Sequence, residues 1–247
     1  MNERLRVATY NVHGCVGIDG KRSESRIAEV IASMSADIVG LQELDVNRTR
    51  SAGVDQAALI AQQLGWHHVF EPAMRHANDE YYGNAIISRY PLTRRRAIAL
   101  PGSGTWYCRE TRGAIWAETE TAMGAIHIVT THFALGRAER LGQGRLLVGA
   151  DQLGAIPRGE PLVLAGDFNS LPGSPTVALL RSVLRDVRVA TGAARRHRTY
   201  PTRFPVAAVD HIFVNEVLQP MTIASHRTAL ARTASDHFPL VAELAHA

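Results

Sequence analysis

The chain predicts an α/β fold in which two β-sheets pack face to face and helices cover the outside. Three observations predict it. Short apolar runs alternate with segments of helical period, strand-like runs outnumber helical ones, and several runs are near-continuously apolar, as strands buried on both faces are. Periodicity alone leaves a doubly wound single sheet open as an alternative. The 247 residues, 46% hydrophobic and 20% charged, suffice for one large domain spanning 1–247, since α/β units commonly reach ~200 to 250 residues. No repeat, low-complexity tract or Pro/Ser-rich linker marks a boundary inside it.

Each element has a local reason. LRVATYNV, at residues 5–12, reads as a strand, and Glu24–Ser33 as a helix with Ile27, Val30 and Ile31 on one face. DIVGLQE is a strand, followed by a helix over Gln56–Leu64 that stops at Gly65. WHHVFEP and GNAIISRYPL are strands, the second closed by Pro91, and GAIWAETE and GAIHIVTTHF form a pair joined near Met123 and Gly124. Residues 137–153 read as a helix although Gly142, Gly144 and Gly149 each weaken it. PLVLAGDFN is a strand running into a polar loop. SPTVALLRSVL is a helix with Ser174 as N-cap and Pro175 at its first position. VDHIFVN and HFPLVAEL complete the pattern as strands.

Composition narrows the functional classes. Residues 1–6 are polar, a core strand begins before an apolar leader could fit, and no run approaches the ~20 apolar residues of a membrane helix. A soluble, cytoplasmic protein without stable membrane insertion is expected. Cys15 and Cys108 lack the paired spacing of a disulfide framework or zinc site and are expected as reduced thiols. A formal charge of +4 and a pI of about 9.4, with arginine dominating the basic residues, favour a polyanionic or phosphate-bearing partner without identifying it.

The polar residues fall at strand ends. Asn11 ends LRVATYN, Glu43 ends DIVGLQE, His132 ends IHIVTTH, and Asp167 with Asn169 ends PLVLAGDFN. Each apolar run thus delivers metal-capable or proton-transferring groups as it leaves the core, and a rigid strand end holds such groups well. Asn, Glu and Asp are hard oxygen donors, suited to Mg²⁺, Mn²⁺ or Ca²⁺ better than to structural zinc. Taken singly, each has a plainer reading. GDFN reads equally as a turn bonding its own backbone, Glu43 as an ion-pair partner of Arg48, and His132 as a satisfied buried histidine. The plain readings would all have to coincide, in one order, in one chain.

The ordered set TYNVHG, LQELD, GNAIISRYP, THF, GDFN, VDHIF and SDHFP resembles the endonuclease/exonuclease/phosphatase superfamily over residues 5–240. That resemblance implies a deoxyribonuclease I-like four-layer α/β/β/α sandwich of two mixed sheets. It implies a divalent-metal-dependent phosphoesterase, with Mg²⁺ the expected ion and Mn²⁺ or Ca²⁺ as substitutes. The metal would be held chiefly by Glu43, with Asn11 and Asp236 near or at a second position. Asp167 would orient or deprotonate the attacking water, Asn169 would bond the phosphoryl oxygens, and His237, paired with Asp210, would bond the phosphate as charge accumulates. His132 is similar to the histidine of deoxyribonuclease I and the sphingomyelinases, where abasic-site endonucleases carry tyrosine. Arg112 in ETRGAIW resembles a substrate-contacting arginine position, and a structural arginine is an equal reading. The basic clusters at 94–96 and 195–198 would guide a polyanion only if they flank the site.

The opening TYNVHGCVGIDGKRSESRIAEVI, with DQAALIAQQLG and HFALGRAERLGQ, resembles small bacterial members related to the hydrolase-like domain of GPI-anchor remodelling proteins. The implied substrate is a phosphodiester in a lipid headgroup or small metabolite, with DNA or RNA as the alternative. A catalytically silent binding module is the third reading.

Overall fold

The computed structural model of the protein describes residues 3–102, 110–193 and 197–247. Its strands are β1 (Leu5–Asn11), β2 (Ile38–Val46), β3 (His67–Arg75), β4 (Tyr81–Ser88), β5 (Thr93–Leu100) and β6 (Arg112–Thr121). They continue as β7 (Gly124–His132), β8 (Leu162–Asp167), β9 (Arg185–Asp186), β10 (Asp210–Val214), β11 (Leu218–Ser225) and β12 (Leu240–His246). The helices are α1 (Glu24–Ser33), α2 (Gln56–Leu64), α3 (Arg137–Leu147), α4 (Pro175–Arg181), α5 (Val187–Ala190) and α6 (Ala229–Ala234).

Alternation within the strands builds the layers. In β1, Leu5 and Val7 face one way and meet Ile38, Ile86, Ile115, Ile128, Val163 and Ile212 between the sheets. Ala8 and Tyr10 face the other way, under Ile27, Val30 and Ile31 of α1 and Ile60 of α2. On the far side, Leu147 of α3 and Val177 and Leu180 of α4 cover Val129, Leu164 and Phe213. A chain with three separate apolar layers cannot be a single sheet, and the observed sheets are two, ordered β11-β12-β1-β2-β4-β3 and β5-β6-β7-β8-β10-β9. Each is mixed: β1 runs parallel to β2 and β7 parallel to β8, among antiparallel neighbours.

Side-chain caps start the helices where expected. Ser23, Asp55 and Ser174 accept from the backbone N–H three residues on, and α2 stops at Gly65, whose φ of 68° suits glycine. Two helices are shorter than their sequence pattern. α3 ends at Leu147 rather than 153 because Gly149 closes a tighter turn on Leu146 O. α4 ends at Arg181, where Ser182 Oγ bonds Leu179 O instead of continuing the apolar face. The elements β5, β9, β11, α5 and α6 were not expected from sequence. β5 hides behind its arginines, because an edge strand can place charge on both faces.

No helix among the described residues is long and apolar enough to cross a membrane. Cys15 is buried and burial pushes its thiol pKa up, so it is a small core residue; Cys108 lies outside the described residues.

Candidate active site

The two parallel pairs aim their carboxyl ends at one rim of the sandwich. Asn11 stands beside Gln42 in the β1/β2 register, and His132 stands beside Asp167 in the β7/β8 register. The sheets are held close behind these ends. Gln42 Nε2 donates to Thr130 Oγ1 of the other sheet at 2.8 Å, and a Cβ on Gly40 would lie 2.5 Å from that same Oγ1. β10 begins at Asp210, directly opposite Asp167, and β12 begins three residues beyond His237. Connectivity and register therefore bring residues from both halves of the chain to one place.

Asn11 sits at the centre. Its Nδ2 donates to Glu43 Oε1 at 2.9 Å and to Asp167 Oδ2 at 3.0 Å. Glu43 reaches it through an irregularity in β2, where the pairing with β4 slips between Leu41 and Leu44 and Glu43 adopts φ 64°. A non-glycine residue in that region is strained, and strain of this kind gathers at functional sites. His237 Nδ1 donates to Asp210 Oδ2 at 2.9 Å, while its Nε2 stands 3.7 Å from Asp167 Oδ2. Ser235 braces this arrangement, accepting from His237 N and donating to Asn11 O at 2.8 Å.

His132 occupies the opposite side. Arg112 NH1 donates to its Nδ1 at 3.1 Å, so Nε2 carries the ring proton and lies 3.6 Å from Asp167 Oδ2. Asn169 Nδ2 donates to Phe133 O at 2.9 Å and stands 3.2 Å from the same ring nitrogen. Asp167 Oδ1 accepts from Asn169 N at 2.9 Å, which fixes Asn169 at φ 47°. The turn that offered the plain reading of GDFN is thus present, yet it leaves Asp167 Oδ2 turned into the cluster.

Burial sets the charges. Asp167 is raised to about 7 by burial and by Asp210, against the opposing pull of His237 and the hydrogen bonds from Asn169 and Asn11. Burial acts to lower His237, but the Asp210 and Asp167 carboxylates outweigh it and raise the imidazole to about 10. His132 is driven well below the ordinary histidine range by burial, Arg112 and His237, so its ring is neutral. The site therefore holds one imidazolium, one neutral imidazole and a carboxylic acid that titrates near neutrality.

The remaining expected residues divide. Arg112 is buried and forks between His132 and Glu110 Oε2, 2.8 Å away. Asp236 turns toward His13 Nδ1 at 4.0 Å and Ser235 Oγ at 3.4 Å, more exposed than the others. Arg48 pairs with Asp45 and Glu80, not with Glu43. The arginines at 94–96 lie toward the Thr93 end of β5, away from Leu100, which pairs with Arg112. Arg94 and Arg95 bond Glu71 and Glu118, and Arg96 bonds Asp151 O. They do not flank the site, and Arg195 and Arg196 of the other cluster lie outside the described residues.

Two buried residues that brace the candidate site escaped sequence reasoning. Arg188 is fully buried, donating to His211 Nδ1 at 3.2 Å and to His197 O at 3.1 Å. His211 Nε2 in turn donates to Ser170 O at 2.7 Å, which fixes the residue after Asn169. Burial and Arg188 lower His211 to about 4, so it stays neutral in this chain of bonds. Period-2 alternation in VDHIFVN could have set His211 on the face opposite Asp210; nothing local marked Arg188. A cavity of about 390 Å³ opens beside Glu43, lined by His13, Arg22, Asp45, Arg50 and Tyr82.

Asp167, Asp210 and His237 form the one set of three acidic or histidine residues, among those described, whose ligand atoms all lie within 4.8 Å of one another. The sequence profile of the endonuclease/exonuclease/phosphatase family matches residues 8–237, from β1 to His237. The chain belongs to this family. Endonuclease/exonuclease/phosphatase family members are phosphoesterase hydrolases and typically use a divalent metal. The uncharacterized protein YbhP of Escherichia coli strain K12 is 28% identical, the match covering 97% of this chain and 96% of YbhP. An endonuclease/exonuclease/phosphatase family protein of Bacteroides thetaiotaomicron superposes with a TM-score of 0.78 at 22% identity, over 99% of this chain and 98% of that one. The mannosyl-6-phosphatase Bt3783 of Bacteroides thetaiotaomicron VPI-5482 superposes with a TM-score of 0.76 at 21% identity, over 97% and 99%. At these identities the structures establish the shared fold.

Proposed function

We propose that the protein is a divalent-metal-dependent phosphodiesterase that directs water onto phosphorus, acting on a lipid headgroup or small-molecule phosphodiester. The observation that carries this reading is the meeting, on one rim, of the Asp210–His237 pair with Asp167, Asn11 and Glu43.

The donor set fits a divalent cation. Asp210 Oδ1 is buried without a hydrogen-bond partner, and burial together with Asp210 raises Asp167 even beside the charged His237, so the buried carboxylates outweigh the positive charge next to them. Glu43 would hold the ion as a hard oxygen ligand, with the more exposed Asp236 on the solvent side; Asn11 would join once its amide turns Oδ1, which accepts from His13 N, toward Glu43. A bound ion supplies Lewis-acid stabilisation of charge on the phosphoryl and departing oxygens.

The residues supply the rest. Asp167 Oδ2 takes a proton from the attacking water or orients it; a base titrating near neutrality suits that task. His237, held by Asp210 in one orientation and charged, donates from Nε2 to a nonbridging oxygen as negative charge builds. Asn169, fixed by Phe133 O and by Asp167, offers its amide to the same group. His132 stays neutral, held through Nδ1 by Arg112, and directs its Nε2–H inward. Arg112 adds fixed positive charge at the wall.

The test is metal-dependent hydrolysis of bis(p-nitrophenyl) phosphate. A panel of plasmid DNA, RNA, sphingomyelin, glycerophospholipids and inositol phosphates follows, each with Mg²⁺, Mn²⁺ and Ca²⁺. Hydrolysis of lipid or small diesters above nucleic acid supports the reading; cleavage of DNA or RNA alone replaces it with a nuclease. Full activity after exhaustive chelation, with no metal by elemental analysis, removes the ion from the mechanism.

A further inference from the structure

Residues 199–207 form a small hairpin whose base is tied to the backbone around His237. Within it, Thr199 N donates to Ala207 O at 2.9 Å and Val206 N donates to Tyr200 O at 3.0 Å. Three further bonds bind it to the site loop: Thr202 N to Asp236 O at 2.8 Å, Phe238 N to Thr199 O at 2.9 Å, and Thr202 Oγ1 to Ser235 O at 2.9 Å. The Tyr200 ring lies against the His237 ring, their centroids 4.7 Å apart. Thr199 and Thr202 are fully buried, so the base belongs to the core and the tip has a fixed position relative to the site.

The tip is the reverse of the base. Phe204 is 74% exposed and Val206 66% exposed, on a backbone that holds them in water. Leu135 and Leu171 are also exposed, and they follow His132 by three residues and Asn169 by two. Chains that short keep them within roughly 10 Å of those residues. The exposed charge carried by the hairpin and the α6 segment is basic, while Asp236, whose backbone the hairpin bonds, turns its carboxylate toward His13. Segments 197–208 and 226–234 contain Arg198, Arg203, Arg227 and Arg232 and no Asp or Glu. Arg227 NH2 donates to Arg198 O at 2.8 Å and Arg232 NH1 to Thr202 O at 2.7 Å, so α6 and the hairpin form one surface.

We propose that this surface docks on an anionic lipid bilayer. Phe204 and Val206 enter the headgroup region while the arginines meet lipid phosphates, which sets the His237 rim toward headgroup phosphodiesters. Apolar side chains fenced by Arg198, Arg203, Arg227 and Arg232 match that boundary in both polarity and sign. A single-stranded nucleic acid would use stacking faces; Phe204 and Tyr200 offer them, but Val206, Leu135 and Leu171 do not, and this aliphatic share suits a bilayer better. The orientation toward headgroups rests on the phosphodiesterase reading; the docking is measured by binding alone, so the two fail separately.

The test is flotation of the intact protein with vesicles of phosphatidylcholine, with and without phosphatidylglycerol, at low and raised salt. Wild type is expected to float with the phosphatidylglycerol vesicles, less so as salt is raised. The double variant Phe204→Ser/Val206→Ser is expected to lose about tenfold or more of the bound fraction, with its thermal midpoint unchanged. Arg198→Gln/Arg203→Gln is expected to weaken binding and flatten its salt dependence. In Phe204→Trp, the new indole should shift to the blue and be quenched by brominated lipid. Absence of flotation, equal flotation of the serine variant, an indole left unquenched in Phe204→Trp, or retention on single-stranded DNA in place of vesicles would each overturn the proposal. Turnover of bis(p-nitrophenyl) phosphate by the wild type, run in parallel without vesicles, reports on the phosphodiesterase reading independently.

Discussion

Asp167 and His237 share a buried space in which each sets the other's proton. Replacing either with alanine should lower turnover by at least ~100-fold, the scale of losing an electrostatic or proton-transfer contribution, while circular dichroism stays native. A purified variant with near-normal rate would refute these roles. Their shifted pKa values also predict a bell. The rate should rise as Asp167 ionises through about 7 and fall as His237 loses its proton near 10; added divalent cation should move the rising limb to lower pH. Without metal the same shifts act on stability. The folded state keeps Asp167 protonated between its ordinary value of 3.8 and about 7, so stability falls as pH rises through that window. His237, raised from 6.5 to about 10, gives stability that is complete below 6.5 and lost as pH rises through 10. Thermal midpoints of wild type against Asp167→Asn isolate the lower window; parallel curves across it would contradict the assignment. Most of these residues were legible because strands run apolar to their ends and the exceptions stand out. Asp236 was legible as a motif, but its turn toward His13 follows from the loop after α6, which carries no local signal.

At the scale of elements, the site depends on a short helix that the sequence pattern concealed. α5 begins with Asp186 accepting from Arg188 N, and this cap points Arg188 inward toward His211 and so toward the loop bearing Asn169. Arg188→Met should cost about 3 kcal/mol or more in unfolding free energy, as removing one member of a buried polar set does. It should also lower kcat by about tenfold, since small misplacements of a positioned group are expensive. A change in stability with kcat untouched would show that the loop keeps its place without this support. Such supports are hard to read in sequence. Four residues of helix show no period, and a buried arginine is identical in text to one in solvent. β5 escaped for the related reason that Arg94 and Arg95 find Glu71 and Glu118 on neighbouring strands, partners remote in the chain.

For the whole molecule, the sandwich of two packed sheets was legible, but the order of strands within each sheet was not. Period-2 runs show that strands are buried, and they leave open which strands pair; β1 lies between β12 and β2, partners from opposite ends of the sequence. The closeness of the sheets behind the site gives a prediction of its own. Gly40→Ala would bring a Cβ to 2.8 Å from Thr130 Cβ, and overpacking of this kind typically costs about 1–3 kcal/mol. Urea unfolding of the variant measures it, and an unchanged midpoint would mean that the sheets can part without penalty.

The Ser235 hydroxyl that reaches Asn11 O spans 224 positions of sequence, and the Asn11 contact to Asp167 spans 156. A ribosome that has released only the first half of the protein holds β1 and β2 with nothing to complete the rim. Catalytic competence should therefore appear late in refolding, after the far-ultraviolet signal has recovered, because its contacts are among the most distant that the chain must close.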